Sequence, residues 1–265
     1  EILSGLVGSE MCIRDRAEGS LSDNLFGNAL FAVRAMDTVY NPQDTAAEKT
    51  EKAILKQEKV MTSGARFDAT ETCAGTFSTK LSDAYLTQPF YMNYETKFGG
   101  KEQYNDIIAQ FNILQEKAYP SVENELGNAA ADLEMAAYAA AAVDTMEVME
   151  QPLYEIFDRL RQILKQVVAA MNTKSLDTFA KEAREAGLFY AYAVLKGCRM
   201  KALITEKYEK AALDILEAAE AKAQEDDVFG ADTAYTAVLV TAYAESLRNR
   251  EYQDYGRTKG GALWS

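Results

Sequence analysis

The sequence predicts an all-α protein built from helical hairpins stacked in two layers. Three observations carry this. Segments apolar on nearly every side, at Leu81–Phe98, Met135–Val148, Leu188–Leu195 and Ala234–Tyr243, alternate with segments apolar on one face only. A helix that is apolar all round belongs in an interior layer, and a one-sided helix belongs on the surface. The alternation repeats about every 50 residues, and tight connections alternate with long ones in step with it.

The elements follow in order. Residues 1–16 read as foreign: Leu6 to Arg16, LVGSEMCIRDR, back-translates into a transposon-end adapter used in sequencing libraries, and is excluded from the fold. Residues 17–265 are then expected to form a single domain that lacks its authentic N-terminus. Asn24–Tyr40 carries Phe26, Ala29, Leu30, Val33, Met36 and Tyr40 at helical spacing, and Asn41-Pro42 ends it. A charged outer helix over Thr45–Met61 follows, then a Thr-, Ser- and Gly-rich loop over Thr62–Lys80, long enough to suggest a functional role.

After the apolar Leu81–Phe98, Gly99-Gly100 makes a tight return. The outer helix Lys101–Ala118 places Tyr104, Ile107, Ile108, Phe111, Leu114 and Ala118 on one face. Tyr119–Asn128 reads as a longer loop, and Glu150-Gln151-Pro152 as a tight return into the one-sided Leu153–Met171. Asn172–Lys181 is again a longer loop, Leu203–Glu206 tight and Gln224–Ala231 longer. All the long connections therefore fall at one end, where the inner helices begin. There the unpaired N–H groups and positive dipole ends converge, a floor suited to an anionic ligand.

Composition excludes several functions. Of 265 residues 48% are hydrophobic, ample for a large core, and no run approaches the length of a membrane-spanning helix, which suggests a soluble protein. The net charge of −13 is interrupted by no basic stripe, so nucleic acid and anionic membranes are poor partners. Histidine is absent, which removes Ser-His-Asp and Cys-His catalysis and histidine-bound zinc. Cys12, Cys73 and Cys198 form no C-x-x-C pair, and there is no glycine-rich dinucleotide or phosphate loop, so no metal or nucleotide cofactor is expected.

Carboxylates must then carry any chemistry. Asp83, Asp132, Glu182 and Asp232 stand near the starts of the inner helices, separated by 49, 50 and 50 residues. Each suits a first-turn capping role, and two of them facing each other across a cavity would also suit acid and base work. Tyrosines crowd the inner segments, among them Tyr85, Tyr138, Tyr190 and Tyr192. They can fill core or meet a polar, ring-shaped ligand.

Several segments resemble the unsaturated glucuronyl and rhamnogalacturonyl hydrolases, glycoside hydrolase families 88 and 105. They are DNLFGNAL at Asp23–Leu30, GTFSTK at Gly75–Lys80, LSDAYLTQPF at Leu81–Phe90, YAAAAVDTME at Tyr138–Glu147 and EAREAGLFYAYAVLKG at Glu182–Gly197. The resemblance spans nearly all of the chain from Ser22 and keeps the motif order. It implies an (α/α)6 toroid of inner and outer helices, incomplete at the N-terminus, with no cofactor and a bacterial cytoplasmic setting. It also implies hydration of the enol ether double bond of unsaturated uronic-acid oligosaccharides, with aspartate as general acid and base.

The departures are specific. The family's histidine falls on Thr79, and its aspartate before G-L-Y-M falls on Ser82, with Asp83 one place later. One place on a helix turns a side chain by about 100°. The Y-H-x-x-D and W-G-R-x-x-G-W segments have no counterpart. By resemblance Asp83 and Asp132 are the remaining acid/base candidates, with Thr79, Lys80, Tyr85, Tyr138, Glu182 and Arg184 as contacts to a small anionic saccharide. The alternative is a non-catalytic carbohydrate-binding or protein-interaction scaffold of the same fold.

Overall fold

The computed structural model describes residues 80–97, 101–149, 153–182, 184–226 and 233–260. The expected helices over 24–40 and 45–61, the long loop to residue 79 and the adapter-like residues 1–16 lie outside the described residues. All regular structure among the described residues is α-helix. The helices are α1 Asp83–Lys97, α2 Tyr104–Lys117, α3 Tyr119–Asn124, α4 Ala129–Val148, α5 Tyr154–Lys174, α6 Leu176–Glu182, α7 Glu185–Arg199, α8 Thr205–Asp226 and α9 Thr233–Gly260.

The inner layer is α1, α4, α7 and α9, each packed along the next in that order, with α2, α5 and α8 outside them. Polar contacts fix their direction. Leu81 N–H, at the start of α1, donates to Glu134 Oε1, at the start of α4, across 2.7 Å. Lys196, in the last turn of α7, donates to Asp144 Oδ1, near the end of α4, across 2.6 Å. Neighbouring starts meet and neighbouring ends meet, so the inner helices run parallel. The repeat of about 50 residues is thereby realised as a step sideways in space.

Composition explains the layers. In α4 every residue from Met135 to Met146 is buried, and its run of alanines lets helices approach on all sides. In α5 Leu160, Ile163, Leu164, Val167 and Met171 are buried at helical spacing while Lys165 and Gln166 face outward. On α2 Tyr104, Ile107, Phe111 and Leu114 are buried as their spacing predicts, with Gln110 beside them. Pro89 stands inside α1, so the Tyr85 carbonyl lacks its usual partner in the helix ladder.

Three expectations change. The Tyr119–Asn128 connection contains the short helix α3, whose first turn tolerates Pro120 because that position needs no N–H partner. Asn172–Lys181 is also largely helical, since α5 runs on to Lys174 and α6 follows Ser175. Segments this short bury too little to show an apolar period. Lastly α9, expected to be apolar-buried throughout its first turns, leaves Val240 and Tyr243 57% and 47% exposed. Its buried side, with Tyr235, Leu239 and Ala242, is the one that α7 can cover.

Candidate functional site at the helix-start rim

The end where inner helices begin is stitched by side chains. Asn128 caps α4, its Oδ1 accepting from Ala130 N–H at 3.1 Å. Gly127, at φ of +100°, turns the chain so that its N–H donates to Asp132 Oδ1 across 3.0 Å. That φ favours glycine, since a Cβ would be strained there. Ser175, wholly buried between α5 and α6, donates its hydroxyl to the same Oδ1 across 2.5 Å. Lys174 Nζ donates to the Glu123 carbonyl at 2.7 Å. The connection before α4 and the one before α7 are thus joined to each other.

The residues singled out in the sequence divide accordingly. Asp83 lies half-buried in the first turn of α1, with Lys80 exposed three residues before it. Arg184 is the exposed residue that opens α7, so Lys80 and Arg184 both carry positive charge at the rim. Asp132 is 2% exposed, and the two bonds to its Oδ1 are those of a loop-holding, capping carboxylate.

Tyr138 departs from its expected role as a ligand contact. It is fully buried, its ring packs on Phe111 at 5.7 Å, and its hydroxyl donates to the Phe111 carbonyl at 3.1 Å. Burial pushes its phenol well above the ordinary range, so it stays neutral. It serves the seam between inner and outer layers, a large ring among alanines that reaches the outer helix α2. Glu182 ends α6, its side chain lying outside the described residues along with Thr79 and Asp232.

Tyr85 has a partner that the sequence did not suggest. Its ring meets the Phe189 ring edge to face, with centroids 5.2 Å apart and planes at 80°. Tyr85 is in the first turn of α1 and Phe189 in the second of α7, and these helices pack along α4 rather than along each other. The pair therefore reaches across the inner face of the array, just below the rim. Both residues are half-buried and pack against the core.

The opposite end is a different environment. Lys196, 1% exposed, pairs with Asp144 and Glu147, while Tyr192 donates its hydroxyl to Asp144 Oδ1 at 2.5 Å. Arg199 bridges Glu147 at 2.7 Å and Glu245 on α9, and Arg248 reaches both carboxylates at 3.3 Å. Three cations balance three carboxylates where the inner helices end, the end at which a helix dipole favours cations. With Lys196, Asp144 and Glu245 buried and Arg248 exposed at its edge, this cluster ties α4, α7 and α9 together.

Among the described residues no group of three or more His, Cys, Asp or Glu side chains could hold a metal ion, and no helix is long and apolar enough to cross a membrane. No known family profile matches the chain, and no curated protein matches it significantly. A solved structure does. A family 105 glycoside hydrolase from C. acetobutylicum superimposes with a TM-score of 0.55 at 19% sequence identity, covering 74% of this chain and 62% of that one. The fold is that of the α/α-toroid glycoside hydrolases. The described hairpins form an arc of that toroid, and the chain spans less than two thirds of the length of the structure it matches.

Proposed function

We propose that this protein takes an unsaturated uronic-acid saccharide at the rim where the inner helices begin and hydrates its enol ether double bond. The observation that supports this most is the half-buried Asp83, which stands between Lys80 and Tyr85 at the open end of a glycoside-hydrolase-type array. Fold alone does not carry chemistry, so the reading rests on the groups at this rim. Asp83 supplies the acid/base carboxylate. Lys80 and Arg184, with the helix N-termini, attract the uronate. Asp132, buried and held by Gly127 and Ser175, keeps the rim in shape and does not meet the sugar.

Incubation with unsaturated galacturonyl and glucuronyl disaccharides, following the ultraviolet absorbance of the double bond, tests this directly. Loss of absorbance that disappears in Asp83→Asn and persists in Asp144→Asn is the expected result. Absorbance that stays constant with folded protein would end the catalytic reading.

A further inference from the structure

Asp132 and Glu134 lie two residues apart on α4, which turns their side chains about 200° away from each other around the helix. Asp132 meets Gly127 and Ser175, toward the connection before α7. Glu134 turns the other way, to α1. Its Oε1 accepts from Leu81 N–H at 2.7 Å, a charge-assisted bond between residues 53 apart in the chain. Among the described residues that amide is the one polar partner of Glu134, which is half-buried. Leu81 precedes α1, so no carbonyl of that helix serves its N–H. Its side chain is wholly buried. Around it the chain is wound tightly: Asp83 N–H donates to the Lys80 carbonyl at 3.2 Å, and Ala84 N–H to the Leu81 carbonyl at 3.1 Å. Lys80, one place before Leu81, and Asp83, two places after it, are therefore carried by the one turn that Glu134 holds.

We propose that Glu134 is a positioning residue for the hydration reaction: by holding the Leu81 amide, it sets where the Asp83 carboxylate and the Lys80 ammonium stand against the saccharide. This role rests on the reading above, with Asp83 as the acid/base group. Asp83 is half-buried and Lys80 exposed, and both belong to the turn that opens a helix, where the backbone has fewer partners than it has further in. An anchor there matters, because a catalytic carboxylate has to stand within about 3 Å of the proton it moves. Misplacement by about 1 Å can cost about 100-fold in rate. The Leu81 side chain seats the turn in the core, and Glu134 ties it sideways to the next inner helix. What the role needs is an acceptor oxygen at this place; the charge strengthens the bond.

Steady-state kinetics with the unsaturated galacturonyl disaccharide compare the wild type with Glu134→Gln and Glu134→Ala, each well below its own melting midpoint so that lost stability alone leaves kcat unmoved. Alanine removes the acceptor, and kcat should fall about 10- to 100-fold. Glutamine keeps an oxygen there and should restore kcat to within about 3-fold of the wild type. In isotope-labelled protein the Leu81 amide should exchange with solvent at least about 10-fold more slowly in the wild type than in Glu134→Ala, a comparison that needs no turnover. Wild-type kcat in Glu134→Ala, or a kcat in Glu134→Gln as low as that of the alanine variant, overturns the positioning role while the functional reading stands. Equal exchange in the wild type and Glu134→Ala does the same. A wild type that protects the Leu81 amide and turns over no disaccharide overturns the functional reading, and the positioning role falls with it.

Discussion

Ser175 donates its hydroxyl to Asp132 Oδ1 across 2.5 Å, although the two lie 43 residues apart and on successive hairpins. The same oxygen accepts from Gly127 N–H, so one buried carboxylate oxygen holds the turn before α4 and the turn before α7 in register. Asp132→Ala leaves a buried hydroxyl and a backbone N–H without their acceptor. Urea unfolding should show a loss of about 2–3 kcal/mol, against about 1 kcal/mol or less for Asp132→Asn, which keeps an acceptor in place. Equal losses in the two variants would mean that the carboxylate charge, and not the acceptor, holds the turns.

Lys196 is buried with two carboxylates; removing it leaves Glu147 its arginines but takes the lysine from Asp144. Lys196→Met should cost about 3–5 kcal/mol, because the Asp144 carboxylate is then left buried without its cation. The double variant Lys196→Met with Asp144→Asn should recover at least about 1 kcal/mol relative to the sum of the singles. Additive losses would show that the pair is not coupled.

Acid should weaken the same cluster. Burial alone would raise the Glu147 carboxyl, but Lys196 and Arg199 outweigh it and hold the group below its ordinary value of 4.5. The folded protein therefore binds this proton less readily than the unfolded chain. Its contribution is complete above about pH 4.5 and is lost as pH falls through the lower folded value. Urea midpoints measured from pH 7 down to pH 3 should fall less steeply for Glu147→Gln than for the wild type. Parallel curves would remove Glu147 from the acid response.

Gly197 sits where α7 turns back against the outer layer. A Cβ there would lie 2.8 Å from Leu203 Cδ1 and 3.2 Å from Leu164 Cδ2, both on buried residues. Alanine gains about 1 kcal/mol of helix propensity, and overpacking costs about 1–3 kcal/mol. Gly197→Ala should therefore be destabilising on balance in a thermal or urea melt. A stabilised variant would show that Leu203 has room to move.

The sequence by itself determined the class and order of the fold. A repeat near 50 residues, with all-round apolar segments alternating with one-sided ones, forces inner and outer helical layers, because each apolar surface has to be covered. The buried faces of α2 and α5 were legible for that reason. Short helices such as α3 and α6 were not, since a few residues show no period.

Side-chain roles at the rim were decided only by tertiary structure. Spacing gives Asp83 and Asp132 the same standing. Packing separates them, because Ser175 arrives from 43 residues along the chain to join the neighbouring Gly127 on Asp132, which is buried while Asp83 is half-buried. Tyr85 and Tyr138 likewise look equivalent on their helices, yet one faces Phe189 across the array and the other is sealed against Phe111. Periodicity fixes which face of a helix is apolar. What that face meets depends on residues far along the chain, and the sequence brings these together only once the layers have closed.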